Sequence, residues 1–264
     1  MYISNPKNQR IKDVIKLEKA SNRKETGLFV VEGLREINLA FIAGYYIEQL
    51  FICEEQIKET ALYNLDFLNK LGEGIVAPVS SDVYAVLAYR GSTEGTVAVV
   101  KQKSHQLINL KLPENPLILI IEGVEKPGNL GAMLRTADAV GVDAVILCDM
   151  ATDLYNPNVI RSSIGTVFTN QIAVDSTGNA IAFLKEKGVK TYAADLEATD
   201  NYFDKNFQAP TAFIVGEEAN GISEAWRAAA DEKLIIPMNG KIDSLNVSVA
   251  AAVLLYEAAR QRRK

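Results

Sequence analysis

The hydrophobic pattern divides the chain into two blocks of alternating strands and helices. Between residues 8 and 20, Ile11, Val14 and Ile15 form one apolar stripe among lysines, which predicts a helix. A strand is expected at LFVVEG, a helix at LREINLAFIAG, a strand at IEQLFIC and a helix over 54–71. A strand at GIVAPV, a short helix near 81–89, a loop at RGSTEG and a strand at TVAVVKQ complete the first block. Proline and polar residues from Lys101 to Pro116 read as a linker. The second block opens with PLILIIEG, a continuous apolar run of the kind that forms a buried parallel strand. A glycine-rich turn and a helix (NLGAMLRTADAVG) lead to a strand at VDAVILC. A helix at NPNVIRSSIG, a strand at VFTNQIAV, a helix near 178–187 and a strand at VKTYAADL follow. The last elements are a strand at TAFIVG, the loop EEANGIS, a short helix, a strand at KLIIPM and a helix from about 245 to 262. Such alternation predicts an α/β fold with a mostly parallel sheet, divided as 1–103, a linker at 104–115, and 116–264.

Composition narrows the chemistry. Apolar content of 48% and charged content of 23% suit a globular chain of 264 residues and exclude a collagen-like or disordered one. The two cysteines, Cys53 and Cys148, sit far apart in apolar runs, which excludes a disulfide framework and suggests a reducing compartment. No apolar run approaches a membrane span, and MYISNPKNQR lacks a signal-peptide core, so a cytoplasmic location is expected. A single histidine, His105, leaves no histidine-based triad and no pair of histidines for a metal, and no metal is expected. His105 lies in a polar connector and reads as a solvated linker residue. Charge is uneven within the net −5: residues 1–24 carry +5, the RQRRK end carries +4, and the intervening 235 residues hold −14. The basic ends suit a polyphosphate partner, and equally suit ordinary solubility.

Three loops at predicted strand ends stand out, where parallel sheets hold their ligands. In EKPGNLGAMLRTADAVG, Gly128 and Gly131 flank Asn129 at a strand-to-helix turn, and Arg135 follows on the helix. It lacks both the dinucleotide fingerprint and the phosphate-loop pattern, and by itself it is equally a tight turn with a surface arginine. In FIVGEEANGIS a strand ends at Gly216, Glu217 follows, and Ser223 reads as a helix cap. In LIIPMNGKIDSLNVSVAAAVLLYEAARQRRK, Pro237 ends a strand, and Ser244 or Asn246 caps a helix that is apolar nearly all round. Such a helix is expected to be buried, inside the monomer or across a dimer.

As an ordered set the loops are more specific than singly. N-L-G-A-M-L-R-T-A, I-V-G-E-E-A-N-G-I and I-I-P-M-N-G-K-I-D-S-L-N-V-S-V-A resemble the three signature motifs of the SpoU, or TrmH-like, RNA 2′-O-ribose methyltransferases of the SPOUT superfamily. The first block, especially G-L-F-V-V-E-G, is similar to the substrate-binding domain that often precedes them. The resemblance implies methyl transfer from S-adenosylmethionine to a ribose 2′-hydroxyl, with ribosomal RNA preferred over transfer RNA as substrate. It also implies a C-terminal trefoil knot and a homodimer through the last helix and the knot, with the catalytic pocket at the interface. Cofactor contacts would fall on Leu196, Gly216, Ile236 and Leu245. The catalytic set would be Arg135, Asn129, Glu217, Ser244 and Asn246. A guanidinium stays protonated, so Arg135 would stabilise a developing alkoxide rather than act as a base. Lys7, Arg10 and Lys12 are the expected RNA contacts, and Arg161 in NPNVIRSSIG is either a phosphate contact or a helix-surface arginine. A non-catalytic RNA-binding factor with the same fold is the alternative from a different class.

Overall fold

The computed structural model describes residues 2–57, 66–72, 74–88, 95–217 and 220–263, which form two compact units. The first contains residues up to 104 together with 153–169, and the second contains 105–152 and 170–263. The first unit holds a four-stranded mixed sheet in the order β1 (Leu28–Glu32), β4 (Thr96–Lys101), β2 (Ile47–Ile52), β3 (Val76–Pro78). β4 runs antiparallel to β1 and to β2, whereas β2 and β3 are parallel. Helices α1 (Gln9–Lys16), α2 (Ala20–Thr26), α3 (Leu34–Ile42) and α4 (Ser81–Leu87) accompany it. The apolar stripe of α1 is buried at Ile11 and Val14, in one core with Val83 and Leu87 of α4. A second helix, α2, follows where the pattern gave none; it ends on Gly27 in a left-handed cap. Short helical turns at Glu54–Gln56 and Asp66–Lys70 occupy the described ends of the expected 54–71 helix. Its middle, and most of the RGSTEG loop, lie outside the described residues.

The segment 153–169 carries α6 (Pro157–Ser162) and packs with the first unit. Tyr155 stacks on Phe29 at 4.1 Å, and Phe168 meets Tyr45 edge to face at 5.1 Å. Buried Arg23 donates to Asp153 at 2.6 Å and to the carbonyls of Leu17 and Glu18. This packing explains a difference from the expected strand at VFTNQIAV. Phe168 joins this cluster and Val167, next to it in the chain, is buried, while only Ile172–Asp175 forms strand β7.

In the second unit a six-stranded, wholly parallel sheet has the order β10 (Glu232–Leu234), β8 (Lys190–Ala194), β9 (Thr211–Val215), β5 (Leu117–Glu122), β6 (Ala144–Cys148), β7. Every residue of β5, β6 and β9 is buried, as expected for strands covered on both faces. Ile118, Ile120 and Ile146 pack with Ala180 and Leu184 of α7 (Thr177–Glu186) and Trp226 of α8 (Glu224–Ala229). Helix α9 (Val247–Arg262) packs on α5 (Pro127–Val140) and on β9. It is not buried all round: Val249 and Tyr256 are 47% and 50% exposed, because α5 and β9 cover only one side. Nor is His105 a free linker side chain. Its ring nitrogen Nδ1 lies 2.9 Å from the Ile172 carbonyl, and its own carbonyl accepts from Val174 at 2.7 Å, which covers the β7 edge. Among the described residues, no helix is long and apolar enough to cross a membrane.

Candidate active site

The carboxyl ends of β8, β9 and β10 lie side by side, and the loops leaving them enclose a cleft of about 470 Å³. After β9 the chain reaches Gly216, which is buried against the backbone of the loop that follows it. A Cβ there would collide with the main chain of Gly221 and Ile222, so only glycine fits. Glu217 and Gly221 exchange backbone hydrogen bonds of 3.0 Å in both directions, and Gly221 takes a φ of +69°. The Glu217 carboxylate accepts from the side-chain amide of Asn220.

After β10, Ile236 enters the cleft wall and the chain runs without regular structure to α9. Ser244 and Leu245 line the cleft; the Ser244 hydroxyl donates to Asp243 at 3.0 Å. Asn246, not Ser244, is the cap of α9, accepting from the Ser248 amide at 3.0 Å. Its side-chain amide donates to Asn129 Oδ1 at 3.2 Å. That bond ties the first turn of α5 to the cleft. Asn129 Nδ2 is buried and has no hydrogen-bond partner among the described residues. Arg135 lies six residues further along α5, or about 9 Å along the axis, is exposed, and pairs with no described residue.

After β8, Leu196 is 60% exposed and lines the cleft beside Glu197. Asp195 is buried beneath them, with its Oδ2 3.2 Å from Nε of Arg227. Neither Asp195 nor Arg227 was singled out in the sequence, although Asp195 immediately follows a strand at the ligand-binding edge of the sheet. Four carboxylates, those of Asp195, Glu197, Glu217 and Asp243, line the cleft against the one described guanidinium of Arg227. At the end of β6, burial and then the nearby Glu122 charge push the Cys148 thiol up to about 12, so it stays neutral.

Of the nine residues expected to bind cofactor or act in catalysis, seven line this cleft: Leu196, Gly216, Glu217, Ile236, Ser244, Leu245 and Asn246. Asn129 joins through its hydrogen bond to Asn246, and Arg135 shares the helix of Asn129. The expected RNA contacts Lys7, Arg10, Lys12 and Arg161 belong to the other unit, and all four are exposed there. Arg10 also donates to Gln49 at 3.1 Å. No group of three or more metal-ligating side chains occurs among the described residues.

Comparison with known proteins gives a consistent pattern. Residues 116–256 match the SpoU rRNA methylase family, and residues 8–98 match the MRM3-like substrate binding domain. A 23S rRNA uridine 2′-O-methyltransferase of Streptomyces viridochromogenes is 31% identical, over 92% of this chain and 86% of that protein. The 23S rRNA guanosine 2′-O-methyltransferase RlmP of Bacillus subtilis is also 31% identical, over 96% of this chain and 97% of that protein. The crystal structure of the SpoU methyltransferase AviRb from S. viridochromogenes with AdoMet superposes with a TM-score of 0.86 at 28% identity, covering 97% of this chain and 98% of that one.

Proposed function

The chain belongs to the SpoU rRNA methylase family, and from that premise we propose that it transfers a methyl group from S-adenosylmethionine to a ribose 2′-hydroxyl of ribosomal RNA. The observation that carries the reading is the Asn246–Asn129 hydrogen bond. Through it the helix bearing Arg135 meets a cleft walled by Gly216, Ile236 and Leu245.

The cleft suits the cofactor. Its size lies within the range of about 300–1,000 Å³ common for small-molecule sites. Leu196, Ile236 and Leu245 offer apolar surface for adenine, and Gly216 brings bare main chain close. The excess of carboxylates favours a cationic ligand, and the orphaned Asn129 amide has a donor to spare. When bound, the cofactor supplies an electrophilic methyl group on a positively charged sulfur, whose departure needs no acid.

The remaining difficulty is the nucleophile, because a ribose hydroxyl attacks poorly until its proton leaves. Arg135 holds a permanent cation with no described partner to neutralise it, and so steadies negative charge as it grows on the 2′-oxygen. The hydroxyl proton passes to a neighbouring phosphate oxygen of the RNA. Asn129 and Asn246 orient the sugar from the end of α5, and Glu217 and Ser244 complete its hydrogen bonding. The exposed cations Lys7, Arg10, Lys12 and Arg161 contact RNA phosphates. Residues 1–103 serve as the substrate-binding domain, 104–115 as connector and 116–264 as the methyltransferase region, with 153–169 packed into the first unit. Relatives of equal identity act on a uridine and on a guanosine, so family membership leaves the base open.

We further infer that the C-terminal third is knotted, that the protein works in the cytoplasm, and that it dimerises through the exposed face of α9 around Val249 and Tyr256. Mapping ribose methylation across total RNA from cells with and without the protein tests the main reading. Loss of one mark in 23S rRNA is expected. A mark lost only from transfer RNA would redirect the substrate, and an unchanged map would leave a non-catalytic role.

A further inference from the structure

Asp195 and Arg227 stand between two of the cofactor loops, and beyond the share of Asp195 in the negative charge of the cleft neither has a role in the proposed reaction. The Asp195 side chain is 3% exposed, and each of its oxygens has a separate task. Oδ1 accepts from the backbone N–H of Glu197 at 3.1 Å, which closes the turn that presents Leu196 and Glu197 to the cleft. The backbone adds a second closure, from the Ala198 N–H to the Asp195 carbonyl at 3.2 Å. Oδ2 accepts from Arg227 Nε at 3.2 Å. Arg227 in turn stands on α8, capped by Ser223 where the loop after β9 ends, and its Nη2 borders that loop, 3.7 Å from where a Cβ would stand on Gly221. Gly221 is the residue whose backbone closes on Glu217 beside Gly216. Hydrogen bonds therefore join the turn after β8, through one buried carboxylate and one guanidinium, to α8, the helix into which the loop after β9 leads.

We propose that the Asp195–Arg227 pair is a positioning device for the cofactor: it fixes the spacing of the two loops that grip the adenosyl group, without touching the reacting atoms. The inference rests on the reading of the cleft as an S-adenosylmethionine site. An ion pair suits the task better than apolar packing, because a carboxylate with two occupied oxygens and a planar guanidinium fix direction as well as distance. Asparagine at 195 is the discriminating change. It keeps shape and size, but has one acceptor where aspartate has two. Its amide nitrogen must then face a donor, either the Glu197 N–H or the Arg227 guanidinium.

The test is calorimetric titration of the full-length protein with S-adenosylmethionine and with S-adenosylhomocysteine. It compares wild type, Asp195→Asn, Arg227→Met and the double variant, each first checked by thermal unfolding. Each single change should raise both Kd values about tenfold, and the double variant should be no worse than the weaker single one. With saturating cofactor, kcat should stay within about twofold while KM for the cofactor rises, a split that general loosening of the fold does not produce. An Asp195→Asn protein that folds and binds as wild type does would overturn the proposal, as would losses that multiply in the double variant. Should Asp195→Asn fail to fold, Arg227→Met decides once thermal unfolding shows it folded, since that side chain is 30% exposed; because it leaves the buried Asp195 carboxylate without its guanidinium, the double variant, which carries neither charge, is its control. Wild-type protein that binds neither ligand would instead remove the cofactor reading itself.

Discussion

A single side chain, Asn246, does two things, of which the sequence suggests only the first. It caps α9 through Ser248, and it holds Asn129 of α5. A cap at Ser244 or Asn246, of which the structure selects Asn246, was legible because serine or asparagine before an apolar run is a helix-start signal. The partner was not, because 117 residues separate the two asparagines. Arg135 is the reverse case, conspicuous in sequence beside the motif yet unpaired among the described residues of the fold. Its replacement by alanine should abolish methyl transfer while leaving the cofactor Kd within a factor of about three, since a charge that acts on the forming alkoxide contributes to the transition state and little to ground-state binding. Titration of cofactor into the variant, beside a turnover assay, checks both halves. Glu232 gives a pH-dependent expectation. Hydrogen bonds from Lys190 and then Lys205 hold its pKa below the usual carboxylate value. A depressed carboxyl pKa contributes stability above the unfolded value and loses it as the pH falls through the folded one. Glu232→Gln should therefore lower Tm at neutral pH, and the two melting curves should converge in acid.

Among elements, the buried strands were the most readable. β5 and β6 are apolar runs of strand length, as expected for strands covered on both faces. Elements whose apolar residues serve two neighbours are less readable. Val167 and Phe168 read as the start of β7, but Phe168 fills the aromatic cluster around Phe29 and Tyr45 and Val167 is buried next to it in the chain. Two backbone positions support this arrangement. Gly165 has a φ of +80° and would press a Cβ to 2.9 Å from Leu39 Cδ1. Ile164, with a φ of +53°, accepts a conformation that β-branched residues rarely adopt. Arg23 fastens the same segment. Arg23→Met should cost about 3 kcal/mol, because Asp153 and two carbonyls lose their donor in a buried setting. Denaturant unfolding of the full chain measures it. Gly216→Ala belongs to the same scale: the loop after β9 must open to admit the methyl group, and cofactor binding should be lost even if the protein still folds.

For the whole molecule, the uneven charge matters more than the net −5. The basic first segment is not a loose tail, since Ile11, Val14 and Leu17 are core residues and Arg23 is buried. Truncating residues 1–24 would remove part of that core, so neutralising charge is the sounder test of RNA binding. Lys7, Arg10 and Lys12 changed together to glutamine should weaken RNA binding and reduce the slope of log K against log salt by about 2, as loss of roughly three phosphate contacts requires. An unaltered slope would show that these cations do not meet phosphate. Dimerisation through α9 predicts that Tyr256→Glu is monomeric in sedimentation while retaining its fold, since a half-exposed position tolerates charge in a single subunit. The sequence by itself determined the strand and helix order of the second block, its parallel sheet and the three loops, because burial on both faces and turn chemistry are written in local pattern. Only the tertiary structure decided that β4 lies antiparallel between β1 and β2, that 153–169 packs with the first unit, and that Asp195 and Arg227 meet. Those outcomes depend on which distant surfaces exclude water together, and a polar pair such as this one carries no periodicity by which to find its partner.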